Sequence, residues 1–181
     1  IVADGNFHGR TTTIVSFSTD DVYKKGFGPF TPGFDAANFC GSCDCGPTER
    51  CLSINSFEEK INENTCAILV EPIQGEAGIR VPRKGWLKEL RALCSEKNIL
   101  LILDEIQSGL GRTGKLFAYE HENIKPDGLI LGKALGGALL PISAFLSSKE
   151  IMNHFKPGSH GSTFGGNPLA SKVASKALDL L

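Results

Sequence analysis

The segment ILLILDEIQSGLGRTG, residues 99–114, decides the fold of this 181-residue chain. It opens with five apolar residues and lacks the polar alternation of a strand that faces water on one side. Such a run is typical of a strand buried on both faces, as in a parallel sheet covered by helices. Asp104 and Glu105 follow the run directly, so the segment predicts a central strand whose carboxyl end presents acidic side chains.

Similar strands and helices surround this segment. CAILVEP (66–72) and GLILG (128–132) are apolar runs of strand length. Apolar residues recur with the helical period in KGWLKELRALCSEKN (84–98), and a further helix is predicted over NPLASKVASKALDLL (167–181). This alternation predicts an α/β fold with a mostly parallel sheet flanked by helices.

Less regular segments give further expectations. TTTIVSF (11–17) and PISAFL (141–146) are predicted to be strands, and SFEEKINEN (56–64) a short helix capped by Ser56 with Glu59 completing a capping box. A long loop rich in Gly, Pro and Cys is expected from about residue 26 to residue 53. The predicted apolar face of the last helix consists of Leu169, Val173, Ala177 and Leu180.

Composition excludes several classes of protein. The 19 basic and 20 acidic residues give a formal net charge of -1, which argues against a nucleic-acid partner. No run approaches the roughly 20 apolar residues of a membrane helix, so no membrane partner is expected. Met152 is the only methionine, and we therefore expect residues 1–181 to be an interior part of a longer protein.

The six cysteines fall into two groups. Cys66 and Cys94 lie in a strand-like run and on an apolar helix face, where inert core thiols are expected. The other four crowd into residues 39–53, and this uneven spread favours an intracellular protein over a secreted disulfide scaffold. These four are Cys40, Cys43, Cys45 and Cys51.

The cysteine-rich loop has two chemical interpretations besides simple reduced thiols. Four cysteines suffice for zinc, but a structural site usually shows two well-spaced pairs, and here Cys40 and Cys43 form the only C-x2-C pair before Cys45. The sequence therefore predicts no metal. Our hypothesis is a reversible dithiol switch near the entrance of an active site, served by a dithiol reductant.

Charged residues follow three of the predicted strands. They are Glu71, then Asp104 with Glu105, and Lys133, which comes two residues after an apolar run. Ligands of open α/β sheets bind at the carboxyl ends of the strands. A lysine that has lost hydration forms an imine readily, and an aspartate keeps a pyridine nitrogen protonated. Together Lys133 and Asp104 predict a site for pyridoxal phosphate, although each alone is more often a structural or solvated charge.

A phosphate site is predicted in HGSTFGGNP (160–168). Ser162 and Thr163 supply hydroxyls, glycines let backbone N–H groups approach, and Asn167 with Pro168 begins the last helix. Glycine-rich segments before helices are common, so the motif is weak by itself. Neither a P-loop nor a dinucleotide fingerprint is present in the sequence.

Several motifs in order resemble those of the class III aminotransferases. They are NFHGRTT, FGPFTPGF, LVEPIQGEAG, LDEIQSGLGRTG, KPDGLILGKALGG and KPGSHGSTFGGNPL, and they cover nearly the whole chain apart from residues 39–53. The resemblance implies fold type I, a pyridoxal-phosphate-dependent large domain, with residues 1–181 an interior part of it. A preceding segment and a small C-terminal domain would then be missing, and residues 39–53 would be an inserted loop.

The resemblance also implies roles for individual residues. Lys133 would form the Schiff base with the cofactor and carry the proton in the reaction, while Asp104 would pair with the ring nitrogen. Gln107 would hydrogen-bond the ring hydroxyl oxygen, and Phe7 would stack on the ring. Arg10 would bind a substrate carboxylate through a bidentate contact.

Two further roles extend beyond one chain. Glu76 would act as a gate that pairs with an arginine beyond Leu181 and releases it when a dicarboxylate substrate arrives. Ser162 belongs to the phosphate segment, and Thr163 would reach the phosphate of the neighbouring subunit, which implies a homodimer.

The resemblance leaves the amino donor open. The motifs FGPFTPGF and GEAG favour ornithine, with a 2-oxo acid as acceptor. His8 stands where many ornithine enzymes are expected to carry another aromatic residue, so acetylornithine or another ω-amino acid is the alternative. An inactive homologue, serving as a scaffold or an interaction module built on the cysteine loop, is an alternative of another class.

Overall fold

The computed structural model describes residues 1–41 and 50–181, which form an α/β arrangement around one sheet. The strands are β1 (Val2–Ala3), β2 (Ala36–Ala37), β3 (Ala67–Val70), β4 (Leu100–Asp104), β5 (Gly128–Leu131) and β6 (Ala144–Ser147). The α-helices are α1 (Thr12–Ser16), α2 (Asp21–Lys24), α3 (Leu52–Lys60), α4 (Trp86–Glu96), α5 (Lys149–Met152) and α6 (Pro168–Leu178). Two 3₁₀ helices cover Ala118–Glu122 and Lys133–Gly136.

The sheet is mostly parallel, as the sequence predicts. Its order is β2-β1-β3-β4-β5-β6, and each neighbouring pair is parallel except β5 and β6. Val70 is in register with Leu103, and Asp104 with Ile130, so the carboxyl ends of β3, β4 and β5 lie side by side. Topology thereby brings residues from distant parts of the chain to one edge.

Helix α4 covers the sheet through an apolar stripe. Trp86, Leu90, Leu93 and Cys94 are buried on it. The indole of Trp86 lies 5.0 Å from the ring of Phe39, measured between centroids, and its Nε1 donates to Oγ of Ser53 at 3.0 Å. A buried indole N–H needs such an acceptor, so this bond fixes α4 against α3.

Asp127 holds the opposite, amino-terminal edge of the sheet together. Its Oδ2 accepts hydrogen bonds from the backbone N–H of Leu101 at 2.7 Å and from Nη1 of Arg91 at 2.5 Å. Its carbonyl oxygen accepts from Oγ of Ser147 at 2.6 Å. One residue thus joins β4, α4 and β6 at the edge remote from the ends of β3, β4 and β5.

Two predicted elements are wrong in type or position. TTTIVSF contains helix α1 rather than a strand, and Val15 and Ser16 are buried side by side instead of alternating. Packing therefore overrides the strand preference of the β-branched residues. Helix α3 begins after Cys51, not at Ser56, because Ile54 extends the buried face of Phe57 by one turn.

The predicted face of α6 is only partly correct. Ala170 and Ala174 are its buried residues, whereas Leu169 is 65% and Leu180 77% exposed. A Cβ atom placed on Gly137 would lie 3.4 Å from Cβ of Ala177, so small residues allow the close approach of α6 to the turn after β5. The predicted cap is confirmed, since the Asn167 side chain accepts from the N–H of Ala170 at 2.9 Å.

No helix in the described ranges is both long enough and apolar enough to cross a bilayer.

Candidate active site

The carboxyl ends of the parallel strands form one polar edge. Glu71 follows β3, Asp104 ends β4 and Lys133 begins the turn two residues beyond β5. The segment after β1 joins them, since the N–H of Phe7 donates to Oε2 of Glu71 at 3.1 Å. The prediction that these strand ends meet at one edge agrees with the topology.

Asp104 is anchored through both of its carboxylate oxygens. Its Oδ2 lies 2.7 Å from Nδ1 of His8, and its Oδ1 accepts from the backbone N–H of Ile106 at 3.0 Å. The side chains of His8 and Asp104 are only 2% and 5% exposed. A buried carboxylate needs such donors, and each oxygen can still accept a further bond.

Glu71 is a buried carboxylate beside this pair. Burial raises the pKa of Glu71, partly opposed by the hydrogen bond from the N–H of Phe7. The N–H of Gly75 lies 3.4 Å from its other oxygen. The sequence placed Glu71 at the edge without a role, and these contacts show that it fixes the segments after β1 and β3.

Glu105 is structural. Its carboxylate accepts the N–H groups of Ala118 at 2.7 Å and Tyr119 at 2.9 Å, which begin the first 3₁₀ helix. Burial raises the pKa of Glu105 despite these bonds. The carboxylate of Glu105 therefore binds the start of the 3₁₀ helix, whereas that of the adjacent Asp104 binds His8.

Lys133 occupies a strained backbone position. Its φ is +44°, in the left-handed region that residues other than glycine rarely adopt, and such strain concentrates at functional sites. Its side chain is exposed among the described residues, and the dehydrated setting that the flanking apolar residues predict stays a prediction for the complete protein. The apolar neighbours Leu131 and Leu135 are buried instead, since they point into the core.

Phe7 and Arg10 lie together at the rim. The guanidinium of Arg10 stands 4.5 Å from the ring centroid of Tyr23 and 5.6 Å from that of Phe7. Phe7 and Tyr23 pack edge to face at 5.4 Å. These cation–π contacts hold the exposed guanidinium in place while its N–H groups remain available to an anion.

Gln107 and Glu76 meet across two loops. Nε2 of Gln107 donates to Oε1 of Glu76 at 3.2 Å. A Cβ atom on Gly75 would overlap the amide group of Gln107, so the absence of a side chain at Gly75 allows this arrangement. The predicted roles of Gln107 and Glu76 remain predictions, but the two side chains are brought together.

The predicted phosphate segment is exposed. Oγ of Ser162 accepts the N–H of Gly165 at 2.9 Å, which folds the segment into a turn before α6. Thr163 and Phe164 are exposed, the latter to 82%.

The cysteines differ from their predicted settings in one case. Cys94 is buried as expected, and desolvation raises its pKa to about 11. Cys66 is exposed rather than a core thiol; it immediately precedes β3, and its carbonyl oxygen accepts the N–H of Leu100 at 3.0 Å. Cys40 and Cys51 are buried with Sγ atoms 3.2 Å apart, whereas Cys43 and Cys45 lie outside the described residues. Within the described ranges, no three potential metal ligands cluster.

His8 is the residue that sequence reasoning missed. In the sequence His8 bears only on the identity of the amino donor, yet its side chain contacts Asp104 across 96 positions of sequence. The imidazole of His8 inside the motif NFHGR indicates a side chain that can bind a polar partner, but the identity of that partner depends on the tertiary fold.

The whole chain, residues 1–181, matches the model of the class-III aminotransferases, and it belongs to that family. It is 53% identical over 181 residues to the ornithine aminotransferase of Oceanobacillus iheyensis, covering 100% of this chain and 42% of that protein. The chain thus spans about two fifths of the length of this relative.

Solved structures agree with this assignment. The ornithine aminotransferase of Toxoplasma gondii, a structure with partial occupancy of PLP at the active site, is 46% identical with a TM-score of 0.90, covering 99% of this chain and 40% of that one. The acetylornithine aminotransferase of Elizabethkingia anophelis is 50% identical with a TM-score of 0.76, covering 99% and 41%.

Pyridoxal phosphate is the cofactor of this family, and the described residues fit it. Asp104 is a buried anion at a strand end, hydrogen-bonded in a fixed orientation and suited to a protonated ring nitrogen. Lys133 offers an exposed amine on the adjacent strand end, and Phe7 a half-buried aromatic ring.

Proposed function

We propose that the complete protein is an ornithine aminotransferase. It would transfer the δ-amino group of ornithine to 2-oxoglutarate, giving glutamate 5-semialdehyde and glutamate, and so link arginine and ornithine to proline metabolism. The observation that carries the proposal is the meeting of Phe7, Asp104 and the Lys133 turn at one sheet edge in a chain 53% identical to such an enzyme.

The residues at this edge of the sheet would have different roles in the reaction. Pyridoxal phosphate, when bound, supplies an electron sink for the bond broken at the substrate carbon. Nζ of Lys133 would hold the cofactor aldehyde and afterwards carry the proton between substrate and cofactor carbons. Asp104 would keep the ring nitrogen protonated, Phe7 would cover the ring face and Gln107 would bind the ring hydroxyl oxygen.

Arg10 and Glu76 would select the substrates. The guanidinium of Arg10 is held above two aromatic rings, where it can bind a carboxylate in a bidentate manner. Glu76, now bonded to Gln107, would pair with an arginine from outside residues 1–181 and release it to a dicarboxylate. A single site could then accept a cationic amino donor and a dianionic oxo acid in turn.

We further propose a homodimer. Ser162 and Thr163 lie on an exposed turn whose N–H groups and hydroxyls suit a phosphate, and Thr163 would reach the cofactor of the partner subunit. Chemical cross-linking of the complete protein, followed by mass measurement, tests the assembly.

Borohydride reduction tests the proposed chemistry. The complete protein is incubated with pyridoxal phosphate, reduced and mapped by peptide mass spectrometry. We expect the label on Lys133. Label on another lysine, or none, contradicts the proposal and favours the inactive homologue.

The amino donor is tested separately. Acetylornithine is the alternative because of His8 and of the 50% identity to an acetylornithine enzyme. Absorbance changes of the cofactor are followed with ornithine and with acetylornithine at equal concentration. Faster conversion with ornithine supports the proposal, whereas faster conversion with acetylornithine replaces it.

We also propose a dithiol switch at the cysteine loop. The Sγ atoms of Cys40 and Cys51 are 3.2 Å apart, so little movement is needed for a disulfide. Oxidation by a low-molecular-weight disulfide would remove two protons and two electrons from the pair, and a dithiol reductant would return them.

Contacts between Cys40 and the loop that carries Glu76 support this proposal. Phe39 and Gly41 flank Cys40 and pack against Arg80, whose guanidinium lies 5.2 Å from the ring centroid of Phe39. Nη1 of Arg80 donates to Oε1 of Gln74 at 2.9 Å, and Gln74 and Arg80 close the loop that carries Glu76. A shift of Cys40 would therefore reach Glu76.

The switch is tested with the complete enzyme in glutathione buffers of different redox poise. We expect activity to follow the oxidation state in wild type and to become independent of it in Cys40→Ser. Cys66→Ser provides the control, since Cys66 is exposed and lies outside the cysteine-rich loop. Equal activity of the oxidised and reduced wild type would contradict the proposed dithiol switch.

A further inference from the structure

We propose that His8 is a positioning residue for the cofactor. It would fix the carboxylate of Asp104 in the orientation that binds the pyridine nitrogen, and this inference rests on the proposed function. The sequence assigned His8 no part in the reaction.

The contact between His8 and Asp104 determines how the carboxylate is oriented. Nδ1 of His8 lies 2.7 Å from Oδ2, while the N–H of Ile106 donates to Oδ1 at 3.0 Å. Two donors on two different oxygens prevent rotation of the carboxylate. Hydrogen bonds to ionised groups are short and strong, and this one is nearly shielded from water, with 2% and 5% side-chain exposure.

The second ring nitrogen identifies the form of His8. Nε2 is buried and has no hydrogen-bond partner among the described residues. A proton on Nε2 would leave a buried donor unsatisfied, so the proton belongs on Nδ1, where it is donated to Asp104. A neutral imidazole leaves the negative charge of Asp104 uncompensated, and that charge remains available to a protonated pyridine.

Packing holds the imidazole in this position. The ring of Phe17 lies 6.0 Å from that of His8 in a tilted arrangement, and Phe17 itself is buried. The adjacent N–H of Phe7 is tied to Glu71. Because backbone and ring are both restrained, His8 can transmit a fixed geometry to Asp104.

Cofactor binding to the complete apoprotein tests this inference without an activity measurement. Equilibrium dialysis gives dissociation constants for pyridoxal phosphate and for its analogue with C–H in place of the ring nitrogen. Only the former can use the bond to Asp104. We expect wild type to prefer pyridoxal phosphate by at least about tenfold, the size of one charge-assisted hydrogen bond.

Two substitutions separate positioning from packing. His8→Phe keeps a ring but removes the donor, and we expect the preference to fall to about twofold or less. His8→Asn places an N–H near the position of Nδ1, and we expect it to retain most of the preference. Where His8→Phe does not fold, His8→Leu replaces it as the donor-free variant.

The results distinguish this inference from the proposed function. A purely structural role for His8 would weaken both ligands equally, and an unchanged ratio in the donor-free variant overturns the inference alone. If the wild type binds neither pyridoxal phosphate nor its analogue, both the proposed function and this inference are overturned.

Discussion

Nε2 of Gln107 donates a hydrogen bond to Oε1 of Glu76 at 3.2 Å, which connects the loop after β4 to the loop after β3. Gly75 makes this connection possible, because any side chain at that position would overlap the Gln107 amide. A residue without a side chain therefore controls where two predicted site residues meet.

Gly75→Ala is expected to displace Gln107 and lower kcat/KM of the complete enzyme about tenfold, equivalent to about 1.4 kcal/mol. Steady-state kinetics with both substrates measures the loss. Gln107→Ala should give a similar decrease, and the double variant no further one, since both changes remove the same contact. Additive losses would show that Gly75 acts through something other than Gln107.

Arg10→Lys is expected to raise KM for a carboxylate substrate roughly tenfold with little change in kcat, because a point charge cannot reproduce a bidentate contact. Lys24→Arg is the matched control, as Nζ of Lys24 also lies over an aromatic ring, 5.1 Å from the centroid of Phe30. A change confined to kcat would contradict a binding role for Arg10.

Glu105 is expected to make stability depend on pH. Its pKa is raised in the folded protein by burial, so the folded state binds this proton more tightly than the unfolded state. The associated stabilisation is complete below the ordinary pKa of a glutamate and is lost as pH rises through the raised value.

The thermal midpoints of the complete wild type and of Glu105→Gln, measured from pH 5 to 8, test this expectation. Wild type should lose stability relative to the variant as pH increases. Glu63→Gln, at an exposed position, is the control and should follow wild type. A difference between wild type and Glu105→Gln that does not vary with pH refutes the prediction.

Cys66 and Cys94 should differ strongly in alkylation by iodoacetamide. Cys66 is exposed, whereas the pKa of Cys94 is raised to about 11 by burial. At pH 8 only about one Cys94 in a thousand would be thiolate even if it were accessible. Peptide mapping should show Cys66 labelled first and Cys94 labelled only after denaturation; comparable rates in the native protein would contradict the assigned burial.

The central strands could be predicted because β3, β4 and β5 are continuous apolar runs. The strands β1 and β2 were missed, since two residues carry no periodicity and their pairing depends on the rest of the sheet. The same context turns TTTIVSF into a helix. The local pattern therefore identified the buried centre of the sheet and the edge strand β6, and it failed at the other side, where β1 and β2 lie.

The positions of Asp104 and Lys133 follow from the rule that parallel strands present their carboxyl ends at one edge. The partner of Asp104 does not follow from this rule. His8 lies 96 positions away, and its motif does not indicate which residue its side chain contacts. The setting of the Lys133 amine in the complete protein also cannot be read from the motif, since flanking leucines show burial of the backbone region and not of a long side chain.

Asp127 fastens the amino-terminal edge of the sheet, on the side away from Asp104 and Lys133. The contacts that fasten the sheet and the residues of the candidate site therefore lie at opposite edges of the same sheet. Substitutions around Asp127 can therefore change thermal stability while leaving Asp104 and Lys133 in place, and substitutions around Asp104 leave the contacts of Asp127 intact.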